Sequence, residues 1–215
     1  FPLVIRSGNG GGLRFGAQHS QSVENWAMMI PGLKVVVPSN AVDVIGLMAA
    51  SIRDDDPVVF LESKVLYSTK MDVPDGEIVD TLGSAKVLRK GTDATLVALG
   101  AMVPKALVAA EELAADGIDC TVVDVRSLVP LDTSTILREV GATGRMFTVE
   151  ENPRLCGWGG ELASIASEEI FYDLDGPIVR ITTPHIPLPA ADTLEDMAIP
   201  SVERIVTTVT KSMNS

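Results

Sequence analysis

Apolar β-branched runs alternate with stretches of helical spacing along most of the chain, a pattern that predicts α/β architecture with mostly parallel strands. Leu3 to Arg6 reads as a strand. A glycine-rich loop follows, then a helix across Ser22 to Met29 that Pro31 and Gly32 stop. Lys34 to Pro38 (KVVVP) is a nearly continuous apolar run of the kind buried on both faces. Ser39 or Asn40 can cap the next helix, whose apolar positions Val44, Leu47, Met48 and Ile52 recur at helical spacing. The acidic run after Arg53 ends it, and Pro57 to Ser63 supplies another strand.

Between Tyr67 and Thr81 the pattern lapses into a polar stretch punctuated by Pro74 and Gly76, which reads as a linker. Beyond it come a strand, a turn at Lys90 to Asp93 and a buried strand at Thr95 to Leu99. A helix over Val103 to Ala115 presents Val103, Leu107, Ala110 and Leu113 on one face. IDCTVVDV is a strand, Asp132-Thr133-Ser134 opens a helix to Val140, and MFTVEE is a strand. Gly160 to Phe171 is a helix, PIVRITTP a strand, and Pro200 to Lys211 the final helix. This predicts residues 1–67 as part of one α/β unit, 68–81 as a linker and 82–215 as a doubly wound domain. A first strand without an upstream partner further suggests a longer native polypeptide, whose targeting signal, if any, is out of view.

Composition narrows the partners. A formal charge of −12 and a pI near 4.5 argue against nucleic acid and anionic membrane, which repel such a surface at long range. The longest apolar runs fall far short of the roughly 18 residues a spanning helix needs, so the chain reads as cytosolic. Cys120 and Cys156 lie far apart without a Cys or His at metal-ligand spacing, which predicts two reduced thiols rather than a zinc site.

Two glycine clusters invite a phosphate-loop reading, since glycine amides can approach and bind an anion. Leu13 and Phe15 fall where the third glycine of G-x-G-x-x-G should stand after SGNGGG, and Leu162 breaks the pattern in CGWGGELAS. Flexible or tight-turn backbone is the expected role of both. No G-x-S-x-G elbow and no H-E-x-x-H occurs. His19 precedes Ser20, Gln21 and Ser22, residues typical of a helix entrance. There the positive end of the helix dipole would help hold a neutral ring able to donate one hydrogen bond and accept another. A capping or surface histidine fits the same residues. His185, hemmed by prolines in TTPHIPLP, reads more simply as structural. The carboxylates of IRDDDP crowd a helix C-terminus, where the dipole makes negative charge unwelcome. Either a cation compensates them, through Asp54, Asp56 and the carbonyls of Ser51 and Ile52, or the turn is simply solvated.

Taken together and in order, PLVIR, GAQHSQS, PGLKVVVPSN, IRDDDPVVFLE, G-DATLVALG, VVDVRSLVPLD, VEEN and LPAADTLEDMAIPS resemble one family. It is the β subunit of the thiamine-diphosphate-dependent first component of 2-oxoacid dehydrogenase complexes, within the transketolase-like superfamily. The resemblance covers essentially the whole chain. It implies two three-layer α/β/α units with mostly parallel sheets: the second half of a pyrimidine-binding domain, then a transketolase C-terminal domain.

It also implies oxidative decarboxylation of a 2-oxoacid, with acyl transfer to lipoyl groups. His19 matches the family's active-site histidine in the H-S-Q motif. Leu3, Ser51, Ile52, Asp54 and Asp56 resemble its potassium site, with Asp56 standing where related chains can carry Asn. The remaining cofactor-binding residues are expected outside this chain. The activating glutamate belongs to the absent first third of the family's β chain, and the diphosphate and its Mg2+ are held mainly by the α subunit. The implied partners are that α subunit, a second β chain and the lipoyl acyltransferase core; this portion alone is expected to be inactive. Two other readings stand beside this one: a non-catalytic assembly or dimerisation fragment, and a component of an acetoin dehydrogenase.

Overall fold

The computed structural model describes residues 1–214. Two sheets form. The first, in order β1-β3-β2-β7, joins β1 (Val4–Asn9), β3 (Val58–Ser63) and β2 (Lys34–Val36) in parallel, with β7 (Ser127–Val129) antiparallel on β2. The second, β4-β6-β5-β8-β9, pairs β6 (Cys120–Asp124), β5 (Ala94–Ala98), β8 (Met146–Pro153) and β9 (Val179–Thr183) in parallel, and adds β4 (Lys86–Arg89) antiparallel at the edge. The expected strands are present and the parallel majority holds. Absent from the expectation is β7, three residues that leave the second unit to close the first sheet.

The helices are α1 (Gly16–His19), α2 (Glu24–Met28), α3 (Ala41–Ile52), α4 (Met102–Ala115), α5 (Thr133–Thr143), α6 (Trp158–Glu169), α7 (Asp192–Ala198) and α8 (Val202–Met213). Asn40 caps α3 by accepting the Asp43 N–H at 3.0 Å, and Asp132 caps α5 by accepting the Thr135 N–H at 3.0 Å. Ser39, the other expected cap, instead donates its hydroxyl to Asp124. Within α3, Leu47 is fully buried but Ile52 faces solvent, because Asp43, Gly46 and Ser51 share the buried side. α1 and α7 were not expected; each is too short to repeat an apolar face.

Three apolar clusters hold these layers. One packs α4 and α8 on a face of the second sheet, through Leu96, Leu113, Phe147, Ile205 and Val209. Another fills its opposite face with α5 and α6 and runs on into Val35 and Leu61 of the first sheet and Val37 just past β2. That continuity makes the two sheets share a core. A smaller cluster of Val36, Leu47, Val58 and Phe60 seats α3 on the first sheet.

Candidate active site

The parallel strands β1 and β3 end side by side at Asn9 and Ser63, and the segment after each turns across the carboxyl edge of the sheet, where α/β folds place their chemistry. A cleft of about 490 Å3 lies there, lined by Gly8, Phe15, Gln18, His19, Gln21, Val23 and Lys64. His19 is solvent-exposed within it. The Lys64 ammonium donates to the His19 carbonyl and stands 6.0 Å from the centre of the Phe15 ring. Burial holds the Lys64 pKa below the ordinary lysine value.

The histidine's local setting differs from the expected one. It closes the single turn α1 rather than opening a helix, and α2 starts only at Glu24. The cause is a sequence of positive φ angles at Gly10, Gly12, Arg14 and Gly16, which turns the chain early; the Ser20 N–H then closes on the Gly16 carbonyl at 3.1 Å. His19 therefore does not stand at a helix entrance whose dipole would favour a neutral ring; what distinguishes it is its exposed place at the carboxyl edge of the sheet.

The glycine loop that leads to His19 is fastened from the second unit. The Gly11 N–H donates to Glu151 at the end of β8. The N–H groups of Gly12 and Arg14 donate to Glu195 on α7 at 3.2 and 3.1 Å, and the Arg14 guanidinium bonds Glu195 at 2.6 Å and Asp196 at 2.7 Å. The amides that looked ready for a phosphate thus hold carboxylates of the chain itself. The second glycine cluster behaves alike: the Gly159 N–H donates to Glu150 at 3.0 Å, and a Cβ at Gly159 would collide with that carboxylate.

Beneath the loop, Asn9 accepts the Val23 N–H at 2.9 Å and donates to Glu24 at 2.8 Å. Glu24 is buried, which pushes its pKa up to about 7, and the Asn9 hydrogen bond only partly offsets this. Asp124 is likewise pushed up to about 7 by burial, against the Ser39 hydrogen bond. A carboxyl whose pKa is higher folded than unfolded stabilises the fold below its unfolded value and loses that contribution as pH rises through the folded one. Stability is accordingly expected to fall between about pH 4.5 and 8. In Glu24→Gln the fall should be smaller, measured by urea unfolding across that range; an identical decline in both proteins contradicts the assignment.

The second candidate set lies at the opposite, amino edge of the first sheet. The Leu3 carbonyl accepts the Val58 N–H at 2.8 Å and the Ser51 carbonyl accepts the Asp54 N–H at 3.4 Å, while the Ile52 side chain is exposed. Asp54 and Asp56 converge on the Lys34 ammonium, at 2.7 and 3.2 Å. That hydrogen-bonded ammonium holds the Asp54 pKa below the usual carboxylate range. The compensating cation the acidic turn called for is thus supplied by the chain. Among the described residues no three His, Cys, Asp or Glu side chains are grouped so as to hold a metal ion. Cys120 is buried and Cys156 exposed, both unbridged, and no described helix is long and apolar enough to cross a membrane.

Lys64, Phe15, Glu151 and Glu195 were not anticipated as part of the site. For Lys64 a signal existed, as the first residue past a parallel strand; the two glutamates come from distant segments, and nothing local announces them.

Two mostly parallel sheets flanked by helices make this an α/β chain, and two family matches narrow that to the transketolase class. Residues 1–70 match the pyrimidine-binding domain of transketolase and residues 83–205 its C-terminal domain. The chain belongs to this family. It is 44% identical over 98% of its length to the pyruvate dehydrogenase E1 component subunit beta of Rickettsia felis, and spans 64% of that protein. Over 95% of its length it is also 44% identical to the β subunit of an acetoin:2,6-dichlorophenolindophenol oxidoreductase of Bacillus subtilis, of which it spans 60%. Among solved structures, a split-gene transketolase captured as an inactive β4 tetramer superposes with a TM-score of 0.81 at 28% identity, covering 98% of this chain and 66% of that one. The chain thus spans just under two thirds of these relatives.

Proposed function

We propose that this chain is the larger part of the β subunit of a thiamine-diphosphate-dependent dehydrogenase, which decarboxylates a 2-oxo substrate oxidatively and passes the acyl group to a lipoyl carrier. The observation that carries the reading is the exposed His19 in the cleft at the carboxyl edge of β1 and β3, within a chain of the transketolase family. The domain limits 1–67, 68–81 and 82–215 belong to the same proposal.

The cleft suits one side of a flat, mainly uncharged ring, because Phe15 and Val23 give an apolar wall and Gln18 and Gln21 polar amides. Thiamine diphosphate, when bound, supplies the carbon at which the 2-oxo group reacts. His19 gives or takes a proton at an imidazole nitrogen as charge develops on substrate oxygen and on the lipoyl sulfur. Phe15 and Val23 limit water, and Lys64 fixes the main chain that carries the histidine. The remaining cofactor contacts, with Mg2+, fall to an α-type partner and to β residues outside this chain; a second β chain and the acyltransferase core complete the assembly. A cytoplasmic location is part of the proposal, although relatives from rice and Arabidopsis carry the word mitochondrial in their names.

Reconstitution tests the reading. The full β chain mixed with its α partner and thiamine diphosphate should reduce an artificial electron acceptor on addition of pyruvate or acetoin, and residues 1–215 alone should not. Equal identity to pyruvate and acetoin relatives leaves the substrate to that assay. Activity with none of pyruvate, acetoin and a branched-chain 2-oxoacid would support the assembly-module reading.

The potassium set Leu3, Ser51, Ile52, Asp54 and Asp56 we propose as mainly a carbonyl site. A carbonyl oxygen that accepts one N–H, as that of Leu3 does from Val58, retains a second lone pair, whereas the two carboxylates already have Lys34. Potassium is expected to raise the melting temperature more than sodium at matched ionic strength; equal shifts would remove the ion from the account.

A further inference from the structure

We propose that the cleft at the carboxyl ends of β8 and β9 binds a small anion carrying a phosphate group. Arg154, Arg180, Arg204 and His185 converge on this space of about 660 Å3, and no carboxylate lines it. Such a grouping is conspicuous in a chain with 29 acidic and 17 basic residues. Among the described residues neither Arg154 nor Arg204 has a carboxylate partner.

The guanidinium groups are anchored. Arg180 donates through Nε and Nη2 to Glu150, at 2.8 Å each. Arg204 donates to the carbonyls of Thr182 at 2.7 Å and Ala198 at 3.2 Å, and Arg154 to the Arg180 carbonyl at 3.1 Å. These bonds hold the forks in place while leaving N–H groups for a ligand, and the planar fork matches phosphate oxygens bidentately. The site also sits where parallel sheets take ligands, beyond the carboxyl ends of their strands. Exposed Leu155 and Pro184 form an apolar wall, suited to an organic phosphate with a small apolar body.

Cys156 lines the cleft and is exposed, whereas Cys120 is buried, so the rate at which N-ethylmaleimide alkylates Cys156 reads occupancy. The assay uses the full chain as it assembles, with alkylation followed peptide by peptide. Pyrophosphate is expected to slow Cys156 alkylation saturably, and citrate at the same concentration to do so much less. Arg154→Ala, at an exposed residue whose side chain makes a single hydrogen bond, to the Arg180 carbonyl, should raise the half-protecting concentration about tenfold or more. His185→Gln should raise it by a smaller factor, and Lys70→Ala, on the exposed linker, should leave it unchanged. Absence of protection, equal protection by citrate, indifference to Arg154→Ala, or a Cys156 already shielded in the ligand-free assembly would each overturn the proposal.

Discussion

Replacing Arg126 by alanine is expected to destabilise the folded chain by about 3–5 kcal/mol, the cost of removing one partner from a buried ion network. Its side chain is 0% exposed. One Nη2 bonds both Asp43 at 2.9 Å and Asp80, while Nη1 donates to the Ser84 carbonyl at 2.9 Å. Asp43 belongs to α3 on the first sheet, Asp80 to the segment between the units, and Arg126 to the turn between β6 and β7. The network therefore links three parts of the chain that are far apart in sequence. With Arg126 gone, Lys86, at 2.6 Å from Asp43 and 3.1 Å from Asp80, is the cation left to both carboxylates. Urea unfolding should show a lower midpoint with an unchanged slope. A loss below about 1 kcal/mol would mean that Lys86 suffices.

The same residues mark what was legible in the chain and what was not. Period and capping residues announced β2, β3, α3, α4 and α5, because their apolar positions repeat and Asn40 and Asp132 are strong caps. β7 was silent: Ser127–Val129 is too short for a period, and its partner β2 lies far upstream. The first glycine cluster was read rightly as tight-turn backbone, whereas Gly159 and Gly160 lie in the first turn of α6; in both, the reason for glycine lay elsewhere in the sequence, in Glu150, Glu151 and Glu195. His19 was visible through its motif, but its setting was not, since the positive φ angles from Gly10 to Gly16 set a separate single turn, α1, ahead of the helix and place His19 at its end. The acidic turn asked for a cation without indicating that Lys34, across the sheet edge, would be one.

The largest effect on activity is expected at His19. The residue is exposed, and the bond that ties it to Lys64 uses its carbonyl rather than its ring. His19→Ala should therefore leave the melting temperature and cofactor affinity of the assembled enzyme close to those of the parent. If His19 carries the proposed proton transfer, its loss should nevertheless lower lipoyl acylation by about 10²–10⁴-fold. His19→Gln, which can donate a hydrogen bond but cannot accept a proton and return it at neutral pH, should recover at most a small part of that loss. Lys64→Met should give an intermediate effect, since it frees the main chain that carries the ring while leaving the ring in place.

The decisive measurement is single-turnover acylation of a lipoyl domain by the complete α and β assembly carrying His19→Ala. The account predicts bound cofactor, an intact fold and acyl transfer slowed by at least about a hundredfold. Transfer at the parent rate would show that the imidazole at the sheet's carboxyl edge takes no part in the chemistry.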